Sequence, residues 1–219
     1  MNISIILLLV LSYLLGSLPI GLLVGRMVKG IDVRDYGSGN IGASNVWRAM
    51  GPFWGVFVFL LDVAKGLMPV QMASHHFPPL VQVLAGLAAI LGHNFSPFLK
   101  FKGGKGVATS LGVAFGLQPL AAVLGFAVWG LCLLVTRTIS VSSMIGTVVT
   151  CLLIWAFSYP LAGTRHPRTQ SLLYSTTDPH GHWPYALFGL LATMFVVYKH
   201  RANIARVKAG TEPKVGAKT

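Results

Sequence analysis

From residue 3 to residue 199 the chain is a succession of apolar runs, and apart from Lys199, which ends the last of them, only two charged residues, Asp62 and Lys65, lie inside one. The runs cover residues 3–24, 53–70, 80–91, 107–135, 141–159 and 184–199. About 20 apolar residues span a bilayer as a helix, and a backbone without water must satisfy its own N–H and C=O groups, as a helix does. The runs therefore predict an all-α integral membrane protein. Charged residues make up 10% of the chain, against about 25% in a soluble domain. Residues 1–25 have no basic leading segment and no convincing small-residue cleavage site, so they read as a first span rather than a removed signal. Gly16 and Pro19 predict a bend in it, and Gly21 with Gly25 a small-residue face for close helix packing.

Residues 107–135 are long for one crossing, and Pro119 lies inside the run, where a proline ends or kinks a helix. Read as two short spans hinged there, the chain has seven spans. With the N-terminus outside, the segment 26–50, the lysines of 100–105, Arg137 and the tail then share one side. That side carries 14 of the 17 Lys and Arg residues, as the positive-inside rule requires. The expectation is seven transmembrane helices, N-out and C-in, in one domain over 1–219, with a partly disordered basic tail over 205–219. Short interfacial or re-entrant helices would carry the polar motifs.

Three polar clusters fall on that basic side. The central one, 92–110, holds three lysines, a His-Asn pair (His93, Asn94) and a Thr-Ser pair beginning at Thr109. Its core, Gly103-Gly104-Lys105-Gly106, precedes an expected helix. Backbone N–H groups converging before a helix N-terminus, with a lysine beside them, form an anion site, and phosphate is the usual anion. The pattern is not a Walker A loop, since Leu99 and Gly106 stand where that loop needs Gly and Ser or Thr. In the first cluster, 37–48, Ser38 or Asn40 is expected to cap a short helix from about Ile41. Asn40, Ser44 and Arg48 would then share a face. A phosphate site and an interfacial helix with a wet polar face fit this cluster equally. In the third cluster His200 and Asn203 are three apart, with Arg201 and Arg206 near. Asp62 and Lys65 either pair with each other or leave Lys65 aimed at a buried phosphate.

Other classes are excluded more simply. Cys132 and Cys151 lie in apolar runs with no metal-ligand spacing, so no zinc site is expected. A net charge of +12 would suit nucleic acid, but nucleic acid does not explain apolar runs; anionic lipid headgroups explain both.

Together, residues 38–48, the segments 92–95 and 101–109, and His200-Arg201-Ala202-Asn203-Ile204 resemble the three signature motifs of the bacterial acyl-phosphate:glycerol-3-phosphate acyltransferases, the PlsY family. Asp62-x-x-Lys65-Gly66 fits the family pattern as well. The resemblance covers essentially the whole chain. It implies a seven-span enzyme of the bacterial cytoplasmic membrane with its active site near the cytoplasmic face. The enzyme would transfer a fatty acyl group from acyl phosphate to the 1-hydroxyl of glycerol 3-phosphate, without metal or organic cofactor, as a monomer among membrane lipids. By resemblance Ser38, Arg48, Lys105, His200 and Asn203 are the catalytic candidates. Asn40, Ser44, Asn45, Lys65, His93, Asn94, Gly103, Gly104, Gly106 and Thr109 are the phosphate-binding candidates, and Glu212 matches a structural glutamate. Two departures stand out: Ser44 replaces the usual Thr, and the segment 160–183 is longer and more polar than the family leads one to expect.

Both substrates carry phosphate, so a site rich in cations, glycines and hydroxyls is expected, and catalysis by positioning and charge neutralisation. The general base is His200 or, preferably, a phosphate oxygen of the donor, since no carboxylate neighbours His200 in sequence. Ser38 as a covalent acyl carrier ranks lower. The competing reading is a small transporter or flippase for a phosphorylated solute or lipid, which internal repeats would favour; none is evident.

Overall fold

The computed structural model describes residues 3–158 and 183–216, and every element among them is helical. The polar segment 160–182, with His166, His180 and His182, lies outside the described residues. Backbone contacts divide the chain into two compact units, Met1–Gly116 and Leu117–Thr219.

In the first unit, α1 (Ile3–Ser17) and α2 (Ile20–Lys29) meet at a 41° bend. Pro19 precedes α2 and has no N–H to continue the ladder, so the bend read from the sequence is present. A short 3-10 turn (Val33–Asp35) and α3 (Ala43–Met50) lead into α4 (Pro52–Ser74), α5 (Pro79–Asn94) and α6 (Val107–Leu117). Pro52 and Pro79 stand at helix starts, where a missing N–H costs nothing.

Packing in this unit rests on backbone touching backbone. A side chain at Gly16 would strike the backbone of Ala89 on α5, and one at Gly92 the carbonyl of Tyr13 on α1. Along the α4–α6 seam Gly66 meets the backbone of Thr109, and Gly112 that of Val63. The pair Gly21 and Gly25 is used differently from expectation. Gly21 meets the carbonyl of Ile41 and the side chain of Val46 on α3, and Gly25 meets Val33, so the small face receives the following loop together with one residue of α3.

In the second unit, α7 (Pro119–Thr136), α8 (Ile139–Ser158) and α9 (Trp183–Lys199) are followed by the short α10 (Arg201–Lys208). The run 107–135 is thus broken at Gln118, with Pro119 opening α7. Thr150 of α8 packs on Gly125 of α7, and Cys151 on Gly189 of α9. Ile154, Tyr185, Phe188 and Val196 form the buried centre.

Among the described residues four helical stretches are long and apolar enough to cross a membrane: Pro52–Ser74, Pro79–Leu99, Pro119–Thr136 and Ile139–Ser158. The bent α1–α2 pair makes a fifth, while Val107–Leu117 and Trp183–Lys199 are shorter apolar helices. Outward residues such as Leu134 and Val135 are apolar and exposed, whereas Asp62, Lys65 and Asn94 are buried.

The glycine contacts carry a direct expectation. Gly16→Val should lower thermal stability in detergent by about 1–3 kcal/mol through overpacking. Gly130→Ala, on α7 with nothing within 4 Å of the added carbon, should leave the melting curve unchanged or raise it slightly.

Candidate active site

Asn45 organises the first cluster. Its amide donates to the carbonyls of Val33 (2.6 Å) and Asn40 (2.8 Å). Its Oδ1 accepts from the backbone N–H of Ser38 (2.8 Å) and the Ser38 hydroxyl (3.2 Å). Those four bonds exhaust an amide side chain. Asn45 is therefore the frame of the loop, not a phosphate ligand as the sequence reading had it. Gly37, at φ +54°, lies where a side-chain carbon would stand 2.6 Å from Asn45 Oδ1 and 3.5 Å from Arg48 Cδ. Only glycine lets the loop fold over α3. Ser38 and Arg48 are exposed at its outer side.

The cap differs from expectation. The residue preceding α3 is Gly42, which makes no side-chain cap. Asn40 instead accepts from the Gly42 N–H at 2.9 Å in a local turn. Asn40 thus precedes the helix, and of the three residues expected on one face only Ser44 and Arg48 are helical neighbours. Upstream, Asp32 accepts from the Arg34 N–H and guanidinium and from Arg26 (2.6–3.2 Å). The Arg34 hydrogen bond, outweighing slight burial, holds the Asp32 carboxyl far below its ordinary range. The cluster meets the central segment through Ile41, which is buried with Leu22 and Leu99.

In the central segment the chain turns tightly after α5. Lys100 (φ 50°) and Phe101 (φ 61°) both adopt left-handed backbone, uncommon for residues with side chains. The Ser96 carbonyl accepts from Leu99 N (3.1 Å) and Phe101 N (2.9 Å). The loop then runs back over the end of α5: Gly103 N donates to the Asn94 carbonyl (3.1 Å) and Gly104 N to that of His93 (3.0 Å). A side chain at Gly103 would strike the His93 carbonyl, and one at Gly104 the His93 ring at Nε2. Gly106 (φ +79°) would place a carbon 2.7 Å from Asn94 Nδ2.

This corrects the reading of the glycines. The amides of Gly103 and Gly104 are spent on α5 and do not converge on an anion. The glycines instead let the loop lie flat on His93 and Asn94, which leaves half-buried Lys105 just before the first turn of α6. Beside them Asn94 Oδ1, Thr109 Oγ1 and Ser110 Oγ are buried with no protein hydrogen-bond partner among the described residues.

Lys65 is not aimed at a phosphate either. Its Nζ lies 2.8 Å from Asp62 Oδ1, an ion pair off hydrogen-bond alignment, and donates to the Leu18 carbonyl at 2.9 Å. His93 Nδ1 stands 3.8 Å from the same Asp62 oxygen.

In the second unit, His200 closes α9 and precedes α10. Its Nδ1 lies 2.8 Å from the Val196 carbonyl. A carbonyl can only accept, so Nδ1 carries the proton and Nε2 is the acceptor nitrogen of the neutral ring. Asn203 Nδ2 donates to Glu212 Oε1 (2.6 Å), as does the Ser140 hydroxyl (2.6 Å), while Arg206 Nε donates to Oε2 (2.7 Å). Burial pushes the Glu212 carboxyl up, but the bonds from Ser140, Asn203 and Arg206 outweigh it and hold the group below the ordinary glutamate range. Glu212 is thus a fastener, as the resemblance implied, and the part of the tail around it is ordered. Ser140 went unpredicted: it is 72 residues from its partner, and nothing local marks it.

Comparison with known proteins bears on this arrangement. A family model described as glycerol-3-phosphate acyltransferase matches residues 6–210. A glycerol-3-phosphate acyltransferase of Desulforudis audaxviator is 44% identical over 96% of both chains. One of Bacillus velezensis is 40% identical over 95% of this chain and 96% of the relative. A crystal structure of PlsY, an integral membrane glycerol 3-phosphate acyltransferase in its glycerol 3-phosphate form, superimposes with a TM-score of 0.84 at 36% identity. It covers 97% of this chain and 96% of that one. The lysophosphatidic acid form of PlsY gives a TM-score of 0.82 at 35% identity.

Two measurements check the geometry. Asn45→Ala should cost about 1–3 kcal/mol for each buried partner left unpaired, seen as a lower melting temperature together with lost turnover. Glu212 has a lowered carboxyl pKa in the fold, so its contribution is present above the unfolded pKa and is lost as pH falls through the folded one. Hydrogen-exchange protection of the Thr211 and Val215 amides, bonded to Arg206 and Arg137, taken relative to the intrinsic rate at each pH, should therefore fall in acid below the ordinary glutamate range. Glu212→Gln should flatten that response.

Proposed function

The chain belongs to the glycerol-3-phosphate acyltransferase family and is an enzyme of that kind, and on that premise we propose that it moves a fatty acyl group from acyl phosphate to the 1-hydroxyl of glycerol 3-phosphate, giving lysophosphatidic acid and phosphate. The observation that carries the proposal is the loop 103–106, seated on His93 and Asn94 so that Lys105 stands at the N-terminus of α6. A lysine cation at a helix N-terminus fits a phosphoryl group. The transporter reading is not favoured, because the relatives are acyltransferases.

The acceptor hydroxyl oxygen attacks the acyl carbonyl carbon. The bond from that carbon to the phosphate oxygen breaks, and phosphate leaves carrying the hydroxyl proton. Lys105, Arg48 and Ser38 neutralise and hold phosphate, with Asn40, Ser44, Thr109 and the first turn of α6 in support. His200 and Asn203 orient the reacting groups. The His200 Nδ1–H is held by the Val196 carbonyl, a neutral acceptor rather than the carboxylate that orients the imidazole of a catalytic triad. That favours a phosphate oxygen of the donor as base. Gly103, Gly104, Gly106, His93, Asn94 and Asn45 shape the site, as does Lys65.

We further propose the finer topology: seven spans, N-out and C-in, with α6 and α9 crossing where the bilayer thins or flanking residues are borrowed. The active side faces the cytoplasm of a bacterial inner membrane, and one monomeric domain over 1–219 performs the reaction.

With purified protein in lipid cubic phase, palmitoyl phosphate and glycerol 3-phosphate should yield phosphate and lysophosphatidic acid in equal amounts. Lys105→Ala and Ser38→Ala should each lower turnover by about 10²–10³-fold. His200→Ala should stay below the roughly 10²–10⁴-fold loss of a general base; a loss inside that range with substrate binding intact would assign the proton to His200.

A further inference from the structure

A buried charge pair in the middle of an apolar helix invites a role, and the phosphate role is closed to Lys65 by its own contacts. The Lys65 ammonium faces Asp62 at 2.8 Å and the Leu18 carbonyl at 2.9 Å, and both side chains are only 3% exposed. Leu18 lies in the break between α1 and α2, where the following Pro19 interrupts the helical ladder. Lys65 therefore fastens the bend of the first span to α4.

On its other side the pair reaches the active loop. His93 Nδ1 stands 3.8 Å from the Asp62 oxygen. The opposite edge of the same ring, at Nε2, lies where a side chain on Gly104 would be. The His93 carbonyl also receives the Gly104 N–H at 3.0 Å. The ring thus stands between a fixed anion and the residue next to Lys105.

We propose that Asp62 and Lys65 are a positioning pair for acceptor binding, setting the height of the Lys105 loop through His93. This rests on the acyltransferase reading above, with Lys105 on the glycerol 3-phosphate phosphate. Asp62 and Lys65 touch no substrate; they act through the ring and the glycine that leans on it.

The pair can be separated from fold stability, because replacing a buried ion pair by apolar side chains of similar size is often neutral or stabilising. The test compares wild type, Lys105→Ala, Asp62→Asn and the double variant Asp62→Leu with Lys65→Met in cubic phase, reading KM for each substrate, kcat and the melting temperature. The double variant should melt near wild type and keep its KM for palmitoyl phosphate, with KM for glycerol 3-phosphate raised about tenfold and kcat changed less than threefold. Asp62→Asn should show the same split. Combined with Lys105→Ala, the double variant should add nothing further to the acceptor KM, since it acts through that lysine. A wild-type acceptor KM in a folded double variant would overturn the proposal, and so would failure of that variant to fold, which would make the pair a requirement of the fold itself. Failure of the underlying reading looks different: wild type makes no lysophosphatidic acid, or Lys105→Ala leaves the acceptor KM unchanged, and the positioning role falls with it.

Discussion

A carbonyl at the end of a helix in or near a bilayer has little water to turn to, and the arrangement of this protein follows from how each such carbonyl is answered. Where α1 breaks, the Leu18 carbonyl takes the Lys65 ammonium and the Ser17 carbonyl takes the Ser96 hydroxyl. Where α5 ends, Asn94 and His93 take the amides of Gly103 and Gly104, and Phe95 takes the Tyr13 hydroxyl. Before α3, Val33 and Asn40 take the Asn45 amide. Lys65, Ser96 and Tyr13 come from segments well removed in sequence, while Asn45, Gly103 and Gly104 close their own loops, so satisfying the breaks also draws the polar motifs into place. The motifs lie at the breaks because only there does the backbone leave the helix, and only there are side chains required to meet it.

Close approach is what makes these answers reachable. Gly16, Gly66, Gly92 and Gly112 let main chains touch, the device membrane helices use where apolar side chains gain nothing over lipid. The glycines of the loop 103–106 belong to the same economy of space. Their value lies in what they allow the loop to rest upon, and Lys105 is presented because its neighbours lie flat. Burial of Asp62 and Lys65 costs roughly 3 kcal/mol each on insertion scales, offset in part by their mutual attraction and the Leu18 bond. A folded chain retains such a cost more readily where the pair holds something that other residues need.

The sequence made the helices legible because hydropathy is local: the apolar runs, the bend at Pro19 and the break before Pro119 all depend on residues within one turn. The motif residues were legible as chemistry, and the resemblance named their family. The geometry within each motif was not. Gly103 and Gly104 read as an amide cradle because the helix beginning at Val107 was visible and the carbonyls of His93 and Asn94 were not. Asn45 read as a ligand because an asparagine in a polar cluster gives no sign that four partners surround it. Ser140 and Glu212 are tied by one 2.6 Å bond across 72 residues, and no spacing rule reaches that far. What escaped was contact between segments distant in sequence, which depends on the packing of the helices between them.

The scarcity of carboxylates fits the chemistry. Of the five acids in the chain, Asp32 is held by Arg26 and Arg34, Asp62 by Lys65, and Glu212 by Ser140, Asn203 and Arg206. Asp35 is exposed, and Asp178 lies outside the described residues. An amide or an ester needs a strong base or a positioned acid because its leaving group is poor. A mixed anhydride of a fatty acid and phosphate already carries a good leaving group, whose oxygens can take the proton. A free carboxylate beside two phosphates would repel both substrates and offer a basicity the reaction does not need. Asp32, Asp62 and Glu212 are each held by cations or hydroxyls of the protein itself. On the proposed reading, acceleration comes from where the protein holds charge, and accuracy of placement is the quantity that buried pairs and glycine contacts would maintain.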